Sequence, residues 1–156
     1  MEQNDSVKVK GSFRLNIMNP EGTEIVGDSG WCENSIMNLG FNKFLIMNLI
    51  SSTGKLYVSH MALGTGGTVA TDQTALAGEV GTRTAVTAAT SSTSKTAHFT
   101  ATFAAGWHSS GAAHNISQIG LFDSVSDGSL FAANTYASSS CASNQAVNCT
   151  YDIVFS

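Results

Sequence analysis

The stretch 60–83, "HMALGTGGTVATDQTALAGEVGTR", sets Gly64, Gly66 and Gly67 directly after an apolar run. Glycines so placed could open a phosphate-binding loop, since they let backbone N–H groups approach an anion. The rest of that machinery does not follow. A P-loop needs GxxxxGK[ST], with a lysine that reaches the β- and γ-phosphates. Here Thr68 and Val69 follow Gly67, and no lysine comes before Lys95. The dinucleotide pattern GxGxxG fails too, because its third glycine, counted from Gly64, would fall at Val69. The segment that follows offers no helix long enough to aim a dipole at an anion. The glycines therefore read as the exit of a strand, with a short turn around Leu76.

Nucleophilic chemistry fares no better. Ser, His and Asp all occur, but no serine lies in a GxSxG elbow. Glu33, Asp72, Glu79, Asp123, Asp127 and Asp152 stand singly, with no spacing that suggests a paired acid and base. No enzymatic activity and no catalytic residue are expected. The loop 106–115, "GWHSSGAAHN", holds Trp107, His108 and His114 among small residues. Such a loop can gather imidazoles at a symmetry axis around a metal, present Trp107 to a sugar or a protein, or merely connect two strands. A partner contact through Trp107, His108 and His114 is the functional candidate, and no metal or cofactor is expected. Of three cysteines, Cys141 and Cys149 bracket a polar loop and could bridge, leaving Cys32 alone; no CxxC spacing supports zinc.

Composition points the same way. The chain has 156 residues, the size of one domain, and 42% are apolar. Only 12% are charged, against about 25% in an ordinary globular protein, and Ser and Thr fill 37 positions. A surface of small neutral side chains suits repeated protein–protein contact. Net charge is −4 with seven Lys and Arg, too few cations for a groove that tracks phosphates, so nucleic acid is not an expected partner. The start "MEQNDSVKVK" is polar, with no secretory signal expected. The apolar stretch 35–50 is broken by Asn38, Gly40, Asn42, Lys43 and Asn48, so no membrane span is expected.

The elements that would position these residues are mostly strands. Phe13, Leu15 and Ile17 alternate with Arg14 and Asn16, and "NPEG" at 19–22 has the form of a type I turn. Residues 7–32 thus read as a hairpin. Asn34 or Ser35 can cap a helix running to 50, apolar around most of its circumference and hence expected to be buried. Strands are expected at 56–63, 79–92, 94–105, 115–123, 128–137 and 147–155. In the last, Val147, Cys149, Tyr151, Ile153 and Phe155 point inward. The expected fold is mainly β, an antiparallel sandwich or jelly roll with one buried helix at about 35–50, in a single domain over 1–156 with 1–6 as a flexible arm.

The stretch 60–83, followed by "ISQIGLFDSVSDGSLFAANTYA" and a final alternating strand, resembles a family of small tailed-bacteriophage virion proteins. Those proteins look like "ALGTG…D.TAL..EV.R" followed by "I.E.GLF…G.LFART". The resemblance covers nearly the whole chain through glycines and core positions. The chain departs from it at Gln118, where an acidic residue is common, and at Asn134, where Arg is common; only surface contacts are expected to change as a result. The resemblance implies a capsid decoration (cement) protein or head fibre, with a tail-fibre, tail-tip or receptor-binding module as the alternative. It implies a homotrimer located in the virion and assembled in the host bacterial cytoplasm. Its partners would be the major capsid protein or, in the alternative, tail proteins or a host receptor. Val7, Lys8 and Lys10, at the start of the first strand, are the first candidates for docking.

Overall fold

The computed structural model describes residues 8–50, 56–91, 95–109 and 111–156. Val7 and the arm 1–6 lie outside them. Ten strands run β1 Val9–Met18, β2 Ile25–Asp28, β3 Cys32–Ile36, β4 His60–Gly64, β5 Glu79–Ala85, β6 Thr87–Ser91, β7 Thr96–Phe103, β8 His114–Phe122, β9 Leu130–Cys141 and β10 Val147–Phe155. All pair antiparallel in the order β5-β4-β8-β9-β3-β1-β10-β7-β6, with β2 added to the free part of β1. The first and last strands of that order are joined through one residue, Val86. The sheet therefore curls until its two edges nearly meet, and the fold is mainly β with a near-barrel sheet.

Period-2 alternation decides what fills the interior. Phe13, Leu15 and Ile17 on β1 and Val147, Cys149, Tyr151 and Ile153 on β10 are buried, facing Ala101 and Phe103 on β7. Phe13 stacks on Tyr151 at 5.8 Å and meets Tyr136 edge-on at 5.9 Å. The expected inward sets on 13–17 and 147–153 are the observed ones, with Phe155 only half-buried at the rim.

The stretch 79–92 was expected as one strand and is two. Val86 donates its N–H to the Ser59 carbonyl at 2.9 Å, and there the chain leaves β4 for β7.

The expected helix at 35–50 is shorter and more exposed. Asn34 and Ser35, its expected caps, belong to β3, which pairs with β1 through Asn34 and with β9 through Ser35 and Ile36. Cross-strand partners on both sides satisfy that backbone better than a helix end would. A π-helical turn, Gly40–Ile46, follows and runs into α1, Met47–Ile50. Gly40 and Phe44 are buried, with Phe44 edge-on to Phe131 at 5.0 Å, while Phe41, Ile46 and Leu49 face outward. The wide apolar circumference is covered on one side only.

One half of the sheet is covered on both faces. Beyond Gly64 the chain forms a loop over 65–78, closed at its base by Thr65 N–H to the Gly78 carbonyl at 3.0 Å. Leu76 closes it against Met37, Ala62, Phe122, Leu130 and Ala133, a second buried cluster outside the barrel interior. Gly64 ends β4, as expected of a strand exit.

Candidate functional site

Chemistry-bearing side chains are held apart by the register. Across five strands the outward face carries the row Glu33, Ser12, Asp152, His98 and Ala89. His98 Nδ1 meets Asp152 Oδ1 at 2.5 Å. In a hydrolytic triad the imidazole stands between hydroxyl and carboxylate. Here the carboxylate stands between them, and the position on the far side of His98 is Ala89. The row is a surface ion pair in form and cannot relay a proton from Ser12.

Trp107, His108 and His114 do come together, at the barrel end where β7 stops and β8 starts. The rings form an edge-to-face chain: Phe103 to Trp107 at 5.1 Å, Trp107 to His108 at 4.7 Å, His108 to His114 at 4.9 Å. Gly81, at φ +65°, lets Trp107 lie against its backbone; a Cβ there would meet the Trp107 carbonyl at 2.6 Å. His108 is 2% exposed, and Trp107 and His114 are half-buried. The side chains that this end turns outward are small: Ala104, Ala105, Ala112 and Ala113. Among the described residues no group of three or more His, Cys, Asp or Glu is arranged to hold a metal ion.

The three cysteines are free thiols that lie around Tyr136. Burial pushes the Cys149 thiol and the Tyr151 hydroxyl well up, and the nearby Cys141 adds to the rise at Cys149. Burial also raises Cys141; the Trp107 indole faces it and offsets part of that rise without closing a hydrogen bond of ordinary geometry. The raised values at Cys141 and Cys149 leave little thiolate, so these two are poor nucleophiles.

The glycine stretch lines a polar cleft of about 430 Å³ with Thr65, Thr68, Asn115 and Ser117. No lining residue is charged. Its inner wall is held by Ser117 Oγ donating to the Gly66 carbonyl at 2.9 Å and Gln118 Nε2 donating to the Gly67 carbonyl at 2.6 Å. Gln118 is fully buried, so it is a structural position and not the surface contact expected from the sequence. Asn134 is half-buried and also has a backbone partner, donating to the Glu33 carbonyl at 2.7 Å.

Two surfaces reach outward, and neither was anticipated. The first is an apolar groove of about 510 Å³ lined by Val9, Phe41, Phe44, Leu45, Leu49 and Phe155. Leu49 is 85% exposed at its edge. Lys8 and Lys10 flank Val9 and are exposed, so these two candidates stand beside the groove. The second is the β2 ribbon. Ile25 and Val26 are adjacent yet both more than half exposed, so neither face of β2 is covered, and Trp31 beyond it is 55% exposed. Arg14 on β1 fixes the ribbon by a two-pronged ion pair to Asp28, Nε to Oδ1 at 3.0 Å and Nη2 to Oδ2 at 2.5 Å. That pair holds the Asp28 carboxyl at about 2, below the ordinary 3.8, chiefly through the Arg14 hydrogen bonds and then the Gly30 N–H. The signal for the groove was in the sequence, since seven apolar positions around one short helix exceed what one contact face can bury.

No family model, curated protein or solved structure matches the chain.

Proposed function

We propose that the protein is a non-enzymatic structural subunit of a tailed-bacteriophage particle, a decoration (cement) protein on the head exterior. In that reading the curled sheet is a variation on the sandwich or jelly roll, its two halves facing one another across the Phe13–Tyr151 core. The observation that carries the proposal is the pair of outward apolar surfaces, groove and ribbon, on a small domain of low charge. Single exposed apolar residues are ordinary, but contiguous apolar grooves mark contact sites. The motif resemblance supplies the kind of assembly.

Lys8, just before β1, and Lys10 on its outward face would meet the major capsid protein. A subunit that binds only the mature shell stabilises it by RT ln(1 + [L]/Kd), about 2.7 kcal/mol at a hundredfold excess over Kd. The inward packing of Trp107 and His108 favours this reading over a receptor-binding module, which would present those rings. Particles lacking the protein should release DNA at lower temperature, and antibody should label heads throughout. Unchanged heat stability, or labelling confined to tails, rejects the proposal.

A further inference from the structure

The groove and the ribbon lie at opposite ends of β1. Val9 lines the groove, whereas β2 pairs with β1 at Asn16, Ile17 and Met18. Nine steps along a strand span about 30 Å, so a chain cannot seat its own ribbon in its own groove. Charge divides the same way. The groove end carries exposed Lys8, Lys10, Lys43 and Lys95, against Glu33 beside Lys10 and the carboxylates Asp123 and Asp127 on the β8–β9 connection. Lys95 lies beside Phe155, its carbonyl accepting the N–H of that residue, and Lys43 is on the same helical turn as Phe41 and Phe44, its Nζ donating to Ser129 Oγ at 3.2 Å, so both stand beside the groove and not in its lining. The ribbon tip carries exposed Glu21 and Glu24, and its nearby cation, Arg14, is already held by Asp28.

The tip is also preorganised. Gly22 N–H donates to the Asn19 carbonyl at 2.9 Å, and Asn19 Oδ1 accepts from Thr23 N–H at 2.8 Å and Glu24 N–H at 3.2 Å. A rigid ribbon loses little conformational entropy on docking.

We propose that the chain self-associates head to tail, the β2 ribbon of one copy seating Ile25 and Val26 in the apolar groove of the next, with Glu21 and Glu24 against Lys43 and Lys95. The contact is heterologous, so it closes into a ring if the rotation between copies allows. It concerns the purified chain alone and does not depend on the particle reading.

Sedimentation velocity of the full chain tests it. The wild type should sediment as a closed oligomer. Leu49→Asp and the double variant Ile25→Asp/Val26→Asp should each sediment as single chains and keep the wild-type circular dichroism, because all three side chains are exposed, losing only the part of the melting temperature that depends on protein concentration. Mixed in equal amounts, the two variants should form a dimer and stop there, since each retains one intact surface. Glu21→Lys/Glu24→Lys should also be a single chain, and adding Lys43→Glu/Lys95→Glu should restore the oligomer. A wild type that stays a single chain at every concentration overturns the proposal. So does an oligomer that survives Leu49→Asp, or a mixture that stays unassociated. A ring that forms yet does not bind shells leaves this contact standing and removes the decoration reading.

Discussion

Gln118 donates from its buried Nε2 to the carbonyl of Gly67 at 2.6 Å, and its Oε1 lies directly beneath Gly66. This one amide ties β8 to the glycine turn and so sets the start of the loop that covers the outer face of β4, β8 and β9. The turn that looks like an anion cradle in sequence is instead filled from below by a neutral side chain.

Gln118→Glu should therefore destabilise the fold by about 2–4 kcal/mol, because a carboxylate cannot donate to Gly67 and is buried. Burial raises the pKa of the new group above its unfolded value. Stability is then fully present below the unfolded pKa, about 4.3, and is lost as pH rises through the folded one. Urea midpoints for variant and wild type should converge toward pH 4 and separate toward pH 7. Equal midpoints at pH 7 would refute the role given to the amide.

Gly66 and Gly67 should respond differently to alanine. A Cβ on Gly66 would lie 2.5 Å from the Ala77 carbonyl and from Gln118 Oε1, whereas one on Gly67 meets nothing within 4 Å. Overpacking of that kind costs about 1–3 kcal/mol. Thermal melts should show a clear loss for Gly66→Ala and a change within about 0.5 kcal/mol for Gly67→Ala.

Leu76 closes the covering loop, at 6% exposure against Phe122 and Leu130. Leu76→Ala should cost about 2–4 kcal/mol. Hydrogen exchange should quicken over 65–78 before it does in β1 or β10, whose core lies on the other side of the sheet.

The Arg14–Asp28 pair sets an acid limit. Its carboxyl is held at about 2 against an ordinary 3.8, so the contribution is present above the unfolded value and fades as pH falls through about 2. Asp28→Asn should remove that part of the pH dependence from the melting temperature. An unchanged acid profile in the variant would show that the pair contributes nothing.

At the alkaline side the sign reverses. Cys149 and Tyr151 are kept neutral by burial, with ordinary values of 9.0 and 10.0. Their raised values mean that stability is full below about 9 and declines above it, as the unfolded chain sheds protons first. Ultraviolet absorbance should show Tyr151 ionising together with unfolding, not before it.

Much of the strand pattern was legible where one face of a strand is wet. Phe13, Leu15 and Ile17, and Val147 through Ile153, announce their inward face by alternation with Arg14, Asn16, Thr150 and Asp152. The turn at 19–22 was legible through its side-chain chemistry. Residues 34–36 misled because Asn34 and Ser35 are good helix caps ahead of an apolar run, while the strand depends on partners on β1 and β9 far away in sequence. The split at Val86 was hidden for the same reason: nothing local distinguishes a long strand from two that leave for opposite edges. The groove was foreshadowed only by the excess of apolar positions on its helix, and the ribbon stayed out of sight because exposure of an apolar residue is decided by what fails to pack on it.

The pairing of β1 with β10 along nearly its whole length has a consequence for how the chain comes to be folded. The second strand of that ladder is the last of the ten to leave the ribosome, so β1 must wait without its principal neighbour while the rest is made. Sheets closed by such distant pairings fold in milliseconds to seconds. During that interval the unpaired backbone edge of β1, with its apolar face of Phe13, Leu15 and Ile17, is open to other nascent chains, and the speed of closure, as much as final stability, sets the yield of folded protein.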